Sequence, residues 1–350
     1  MSSNENLSRW AKIALISVYL VILAGATVRM TGSGMGCPDW PKCFGYLIPP
    51  TDRTQLDWHP DHHYDYGNVI IVDESLRVAT HDFVSGASFD DQRWTAYTKH
   101  DYATFNALHT WVEFLNRLIG AISGLIVLFL FILTVNQVKN RPIITGLALV
   151  CVLSMGFQAW LGKTVVDSNL LPSKVSIHMV MALFIIGLLF MIRALSHPQS
   201  LNRLPDKRLT RLIVFAFVLT LAQFGFGIQV RQFVDVQMKH GPAHSWLSDP
   251  QLSFYVHRTF SLLIICINAV IYIQAKRSGL SLKYIYGIGA CILGEVFLGI
   301  SMYYIDFPWG TQPLHLLLAT LLFGVQFYWM LRIKLQPQFK SLVSASSSII

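Results

Sequence analysis

Eight stretches of this sequence are apolar over the length that crosses a bilayer, roughly 11–29, 114–136, 142–162, 175–195, 210–230, 253–275, 282–303 and 312–333. A run of about 20 apolar residues is long enough to span the hydrocarbon core as a helix. Of the 350 residues, 53% are hydrophobic and only 13% charged, too little charge to cover a water-soluble protein of this size. The first stretch has no small-residue cleavage site and ends in an Arg-containing motif that recurs later. It is therefore expected to stay in the membrane rather than be removed as a signal peptide. The expected fold is an all-α integral membrane protein, eight transmembrane helices arranged as two pseudo-repeated four-helix bundles.

The repeat is carried by three landmarks in a shared order. Gly25-Ala26-Thr27-Val28-Arg29 ends the first span and Gly227-Ile228-Gln229-Val230-Arg231 the fifth, an offset of 202. Asn116-Arg117 opens the second span and His257-Arg258 the sixth, an offset of 141. Trp160-Leu161-Gly162 precedes His178 as Phe297-Leu298-Gly299 precedes His315, both offsets being 137. The drop from 202 to 141 is the extra length of a loop at about 30–106. Four crossings per half give both halves the same orientation, a parallel repeat. The expected domains are 1–195, the N-terminal half with the long loop, a link at 196–209, and 210–350, the C-terminal half.

Lys and Arg set the orientation. Arg9, Lys12, Lys139, Arg141, Arg193, Lys207, Lys276 and Lys334 fall with others in short links and termini on one side. The positive-inside rule places that side, and both termini, in the cytoplasm of a bacterial-type inner membrane. The net charge of +8 then follows from topology, with lipid as the surroundings and no reason to invoke nucleic acid.

Cys151, Cys266 and Cys291 lie within spans and read as small buried hydrophobes. Cys37 and Cys43 lie in the long outer loop, as Cys-Pro-Asp-Trp-Pro-Lys-Cys, on the oxidising side, where a disulfide is expected. It is either a staple or a redox-active pair; two thiols alone do not make a closed metal site. The loop is too long for a mere connection and is expected to be functional or a small cap. Its His59-Pro60-Asp61-His62-His63 run is a weaker metal candidate, since exposed histidines flanked by Asp are usually solvated.

His257 and His315 each lie about one turn, some 6 Å, inside a helix entering from the outer face. Ionisable groups inside a membrane are costly and mark function. Two imidazoles at matched depth in one bundle are a cage for haem iron, or else two unrelated interfacial histidines. In the N-terminal half His178 matches His315, but the position of His257 is Asn116, and an amide is a poor iron ligand. His109, seven residues earlier, is the one nearby substitute. His109, Glu113, Asn116 and Arg117 share a helical stripe. Glu113 is a general base or electrostatic stabiliser beside a reacting ring, or a plain partner of Arg117; Ser253 stands near its aligned position. Arg29, Arg117, Arg231 and Arg258 at the outer edge either snorkel or hold haem propionates. The simplest reading is a fixed electron-transfer haem in the C-terminal half and a reacting porphyrin in the N-terminal half.

At these residues the chain resembles the haem A synthase family. The likeness covers nearly the whole length: Gly-Ala-Thr-Val-Arg-Met-Thr-Gly-Ser-Gly from Gly25 with the Cys-Pro-Asp-Trp-Pro that follows, Glu113 with Arg117, Leu161-Gly162 to His178, His257-Arg258, and Leu298-Gly299 to His315. The resemblance implies oxidation of the C8 methyl of haem O to the formyl of haem A by successive hydroxylation, with water as oxygen source. It implies haem b on His257 and His315, haem O near Glu113 and His178, a disulfide between Cys37 and Cys43, and a role in maturing terminal oxidases. Partners implied are a haem O synthase and an electron donor or acceptor of unspecified kind. One departure stands out. The family's Glu-x-x-His-Arg reads Glu113-Phe114-Leu115-Asn116-Arg117 here, so either His109 takes over, coordination is one-sided, or the activity is altered. Two other classes fit the same spans: a b-type cytochrome taking electrons from quinol without porphyrin chemistry, and a repeat-based transporter.

Overall fold

The computed structural model describes residues 3–98, 104–197 and 201–347. Among these, eight helices are long and apolar enough to cross a membrane: α1 (Ser3–Met30), α2 (Ala107–Val135), α3 (Pro142–Asp167), α4 (Pro172–Ser196), α5 (Lys207–Gln237), α6 (Leu252–Arg277), α7 (Lys283–Tyr304) and α8 (Thr311–Ser347). The protein is a multi-pass membrane protein. Each expected stretch coincides with one helix, overrunning it by a single residue at 136 and at 282. Proline at the first helical position starts α3 and α4, where its missing N–H costs nothing. The Asp206 side chain caps α5 by accepting from Leu209 N at 2.7 Å. Helix α2 begins at Ala107, seven positions before the expected 114, because its polar first turns are held by the outer loop rather than by lipid.

The described chain forms two compact units. One contains the chain up to Leu23, Ser123–Met155 and everything from Val180; the other contains Ala24–Ile122 and Gly156–Met179. In the first unit α5, α6, α7 and α8 pack in sequence and α8 returns onto α5, a closed four-helix arrangement. Leu209 and Ile213 of α5, Ile267 and Ile271 of α6, Ile288 of α7 and Trp329 of α8 share its core. The inner parts of α1 to α4 make a second core around Ala11, Ala14, Leu130, Cys151, Ile186 and Leu189. Between such helices lipid offers no hydrophobic drive, so close packing holds them. Leu125, Phe129, Ile132, Leu153, Leu262 and Leu293 remain exposed, facing where lipid would lie. The link after α4 is fastened by α8: Arg332 donates to His197 O at 3.2 Å, and Gln336 exchanges two bonds with the Leu201 backbone, each 2.8 Å.

The long loop, in the second unit, is a folded cap. Strand β1 (His63–Tyr64) pairs antiparallel with β4 (Phe83–Val84). Strand β2 (Val69–Val72) pairs with β3 (Ser75–Ala79), and β3 with β5 (Trp94–Ala96). The two-residue turn Asp73-Glu74 has positive φ at both positions, 48° and 56°, the hand that matches strand twist. The Val-Ile-Ile-Val run of β2 is covered on both faces. Tyr64, Ile70, Phe83 and Trp94 pack on one side of it, Cys37, Cys43, Phe44 and Leu56 on the other.

Candidate functional site

One contact recurs in four helix pairs, α1 with α2, α3 with α4, α5 with α6 and α7 with α8. A glycine on the first helix faces the landmark side chain on the second, so close that an added Cβ would touch it. For Gly25 the neighbour is Asn116 Oδ1 at 3.6 Å; for Gly162 it is His178 Cε1 at 3.5 Å. For Gly227 it is His257 Cε1 at 3.1 Å, and for Gly299 it is His315 Cε1 at 4.0 Å. The repeat seen in the sequence is thus a repeat of local packing, with an amide in one of four places.

In the first unit the His257 and His315 rings lie 6.4 Å apart, centre to centre, nearly perpendicular at 75°. Two metal–imidazole bonds of about 2 Å each, with roughly 1 Å from nitrogen to ring centre, come to about the same distance. The pair therefore fits one metal ion between two rings. The Gln223 amide donates to His257 O at 3.1 Å, while His257 Nδ1 is buried without a hydrogen-bond partner, the kind of orphan a bound group explains. His315 Nδ1 is 2.9 Å from Glu295 Oε2. The carboxylate thus lies on the Nδ1 side of that ring.

In the second unit Gln158 donates to His178 O at 3.0 Å, and again the histidine Nδ1 is buried and unpartnered. Asn116 Oδ1, Gln158 Oε1 and Trp111 Nε1 are buried and unpartnered too. At the matched positions this half has one imidazole and one amide, where the other has two imidazoles. His109 is half-buried in the first turn of α2, its N–H donating to Asn106 Oδ1 at 3.2 Å; no ring contact joins it to His178 among the described residues.

Glu113 and Arg117 are bound to the cap. Glu113 Oε2 accepts from Cys37 N at 2.9 Å, and Oε1 accepts from Arg117 Nη2. Arg117 also donates to Asp39 O at 2.7 Å, Lys42 O at 2.9 Å and Cys37 O at 3.4 Å. Cys37 and Cys43 are disulfide-bonded, so three carbonyls of one small covalent ring converge on one guanidinium. Gly36 makes the approach possible: a Cβ there would lie 2.4 Å from His109 O, backbone that cannot yield. Thr110 Oγ1 completes the seam, donating to Gly36 O at 2.8 Å. Inside the ring the Asp39 carboxylate accepts from Phe44 N at 2.6 Å and Gly45 N at 2.9 Å. Burial pushes the Asp39 carboxyl above its ordinary 3.8, and those N–H bonds and the Arg117 charge offset this only in part.

The other arginines differ in how far they are committed. Arg29 donates to Met179 Sδ at 3.1 Å. Arg231 pairs with Asp235 at 2.7 Å and donates to Gln312. Arg258 is exposed and its guanidinium lies over the Phe254 and Tyr255 rings, 5.8 and 5.4 Å from their centres, with no side-chain hydrogen bond to the described residues. Among the described residues no three His, Cys, Asp or Glu side chains cluster to hold a metal ion; in the cap His62 stacks edge-on with Tyr64.

The sequence model of the COX15-CtaA family, described as "Cytochrome oxidase assembly protein", matches residues 8–81 and 88–327. The chain belongs to this family. Curated relatives agree. A "Heme A synthase" of Ehrlichia canis is 23% identical over 93% of this chain and 92% of its own. One of Rickettsia prowazekii is 23% identical over 92% and 96%. One of Shewanella oneidensis is 28% identical over a shorter stretch, 54% and 46%. As a member of this family the chain carries one set of residues that the sequence landmarks missed. Gln158, Gln223 and Glu295 each stand four positions before a ring-facing glycine (Gly162, Gly227, Gly299), where α1 has Val21 before Gly25. That spacing puts them one turn away on the same face. The signal was readable, a polar residue at a fixed step inside an apolar span. The C-terminal half, with Ser253 near the position aligned with Glu113, thus has its acid elsewhere: Glu295, on α7 rather than α6.

Proposed function

We propose that this chain is a haem A synthase, oxidising the C8 methyl of haem O to a formyl group, with the work divided between halves 1–195 and 210–350 joined at 196–209. The observation that carries the reading is the asymmetry of the matched pairs. His257 and His315 face each other at metal-bridging distance, while His178 has Asn116 in the matching place.

A haem b between His257 and His315 would supply one-electron transfer. Haem O would be the substrate of the N-terminal half, with His178, and His109 as a second candidate, the residues that would hold its iron. The net change, R–CH3 plus water to R–CHO, releases two electron pairs and four protons, so it needs a proton acceptor at the site and an electron acceptor beyond it. Glu113 is the acid–base candidate, its carboxylate oriented by Arg117 and by Cys37 N–H. Arg258 is open to hold a propionate of the C-terminal haem, and Arg29 and Arg231 lie at the matched ends of α1 and α5 for the same task. Arg117 reaches any propionate only by giving up its cap carbonyls. Placement in a bacterial inner membrane with both termini cytoplasmic, and a haem O synthase as supplier, belong to the same reading.

Co-expression with a haem O source, followed by mass analysis of extracted porphyrins, tests it. A synthase purifies red and yields haem A. A red protein that leaves haem O unchanged is an electron carrier, and a colourless one is a transporter. His257→Ala and His315→Ala should each abolish the tightly bound haem, read as loss of the Soret band.

A further inference from the structure

We propose that Glu295 is a positioning residue for the C-terminal haem, accepting the Nδ1 proton of His315 and so making that imidazole a stronger donor to iron. The inference rests on the reading of His257 and His315 as axial ligands. Three helices carry a polar side chain one turn before the ring-facing glycine, and they use it differently. Gln158 and Gln223 reach past the ring to the histidine's own backbone carbonyl, at 3.0 and 3.1 Å. Glu295 alone reaches the ring, 2.9 Å from His315 Nδ1. Its N-terminal counterpart by the 137 offset is Gln158, so the C-terminal half has an acid and an imidazole where the N-terminal half has two amides.

The chemistry follows from second-shell control of a ligand. A carboxylate that accepts the far N–H of a metal-bound imidazole fixes the ring's tautomer and orientation and raises its basicity. A more basic ligand favours the oxidised iron and lowers the reduction potential. The Glu295 side chain is 18% exposed and that of His315 26%, so solvent only partly screens the contact. Glu295 Oε1 is buried and unpartnered, and Oε2 lies within ion-pair range of the His315 ring. His257 has no such acceptor, so the two ligands of one iron would be unlike. This marks the C-terminal haem as the more firmly held and the more reducing of the two.

Redox titration and low-temperature electron paramagnetic resonance of the full purified protein with the haem it carries test this. Glu295→Gln keeps the shape and an acceptor oxygen but removes the charge. It should retain a low-spin haem whose midpoint potential lies above the parent's. Glu295→Asp, which restores the charge one methylene shorter, should bring the potential back toward the parent's. A Glu295→Gln protein with the parent's potential and spectrum overturns the proposal. If Glu295→Gln sheds its haem, Glu295→Asp decides: retention there supports the role and loss there overturns it. A parent protein without haem, or a His315→Ala variant that keeps a low-spin haem, removes the axial-ligand reading instead and is told apart by that result.

Discussion

Cys37 and Glu113 lie 76 positions apart and meet through a backbone N–H donated to a carboxylate oxygen at 2.9 Å. The bond ties the disulfide ring of the cap to the helix that bears the catalytic candidate. Arg117, one turn further along α2, closes the link by holding Glu113 and three carbonyls of the ring. The acid is thereby held by the cap as well as by its own helix.

Opening the ring should loosen that hold. Cys37→Ser with Cys43→Ser removes a cross-link over a sequence separation of six. A loop this short is worth roughly 2 kcal/mol by chain entropy. The expected result is faster limited proteolysis within 30–106 and a lower haem A yield, with the C-terminal Soret band unchanged. Equal proteolysis rates with and without the disulfide would show that Arg117 suffices.

Arg117→Lys should not substitute. One ammonium cannot serve the two-nitrogen fork that Arg117 presents to Glu113 and the ring. Breaking a buried charged pair from one side costs about 3–5 kcal/mol, so Arg117→Ala should destabilise the cap more than Arg117→Lys. Glu113→Gln, which keeps one acceptor, should preserve the cap and lower haem A formation about a hundredfold, the low end for a lost general base. Porphyrin extraction beside amide exchange at Cys37 separates the two effects.

Asp39 gives a pH dependence of known sign. Its carboxyl, outside the spans, is raised above the ordinary 3.8 by burial. The folded cap therefore binds a proton more readily than the unfolded chain. Its contribution to stability is most favourable at low pH and is lost as pH rises from about 4 through the raised folded value, flat above it. Asp39→Asn should abolish that slope while weakening the bonds to Phe44 and Gly45. Amide exchange at those two residues between pH 4 and 7 measures it; identical slopes in parent and variant would exclude Asp39 as the source.

Gly227→Val should displace His257. A Cβ alone comes within 3.1 Å of the ring, and two further methyls have no room. A shift of even one methylene is felt in packing of this kind. The variant should lose most of its Soret absorbance while Gly25→Ala, whose Cβ would sit at an ordinary 3.6 Å from Asn116, keeps it. Equal haem content in the two would mean that the His257 ring is not seated where it ligates.

The spans, their number and the matched landmarks were legible in the sequence because each is local. A helix that satisfies its own backbone in lipid needs only a run of apolar residues. Gly227, His257, Gly299 and His315 could be paired by offset alone, before any contact was known. Glu295 was passed over because its partner His315 is on the next helix, and only folding puts a carboxylate and an imidazole from α7 and α8 at 2.9 Å. Arg117 read as one of four equivalent edge arginines, and the tertiary structure separated them: it is enclosed by carbonyls of a disulfide ring, whereas Arg258 lies open over aromatic faces. The cap's β-sheets were hidden for the same reason, since strands of two to five residues have little periodicity until they pair. Sequence determined what each segment becomes alone. Packing decided which polar groups meet, because a hydrogen bond depends on distances in space that the order of residues does not contain.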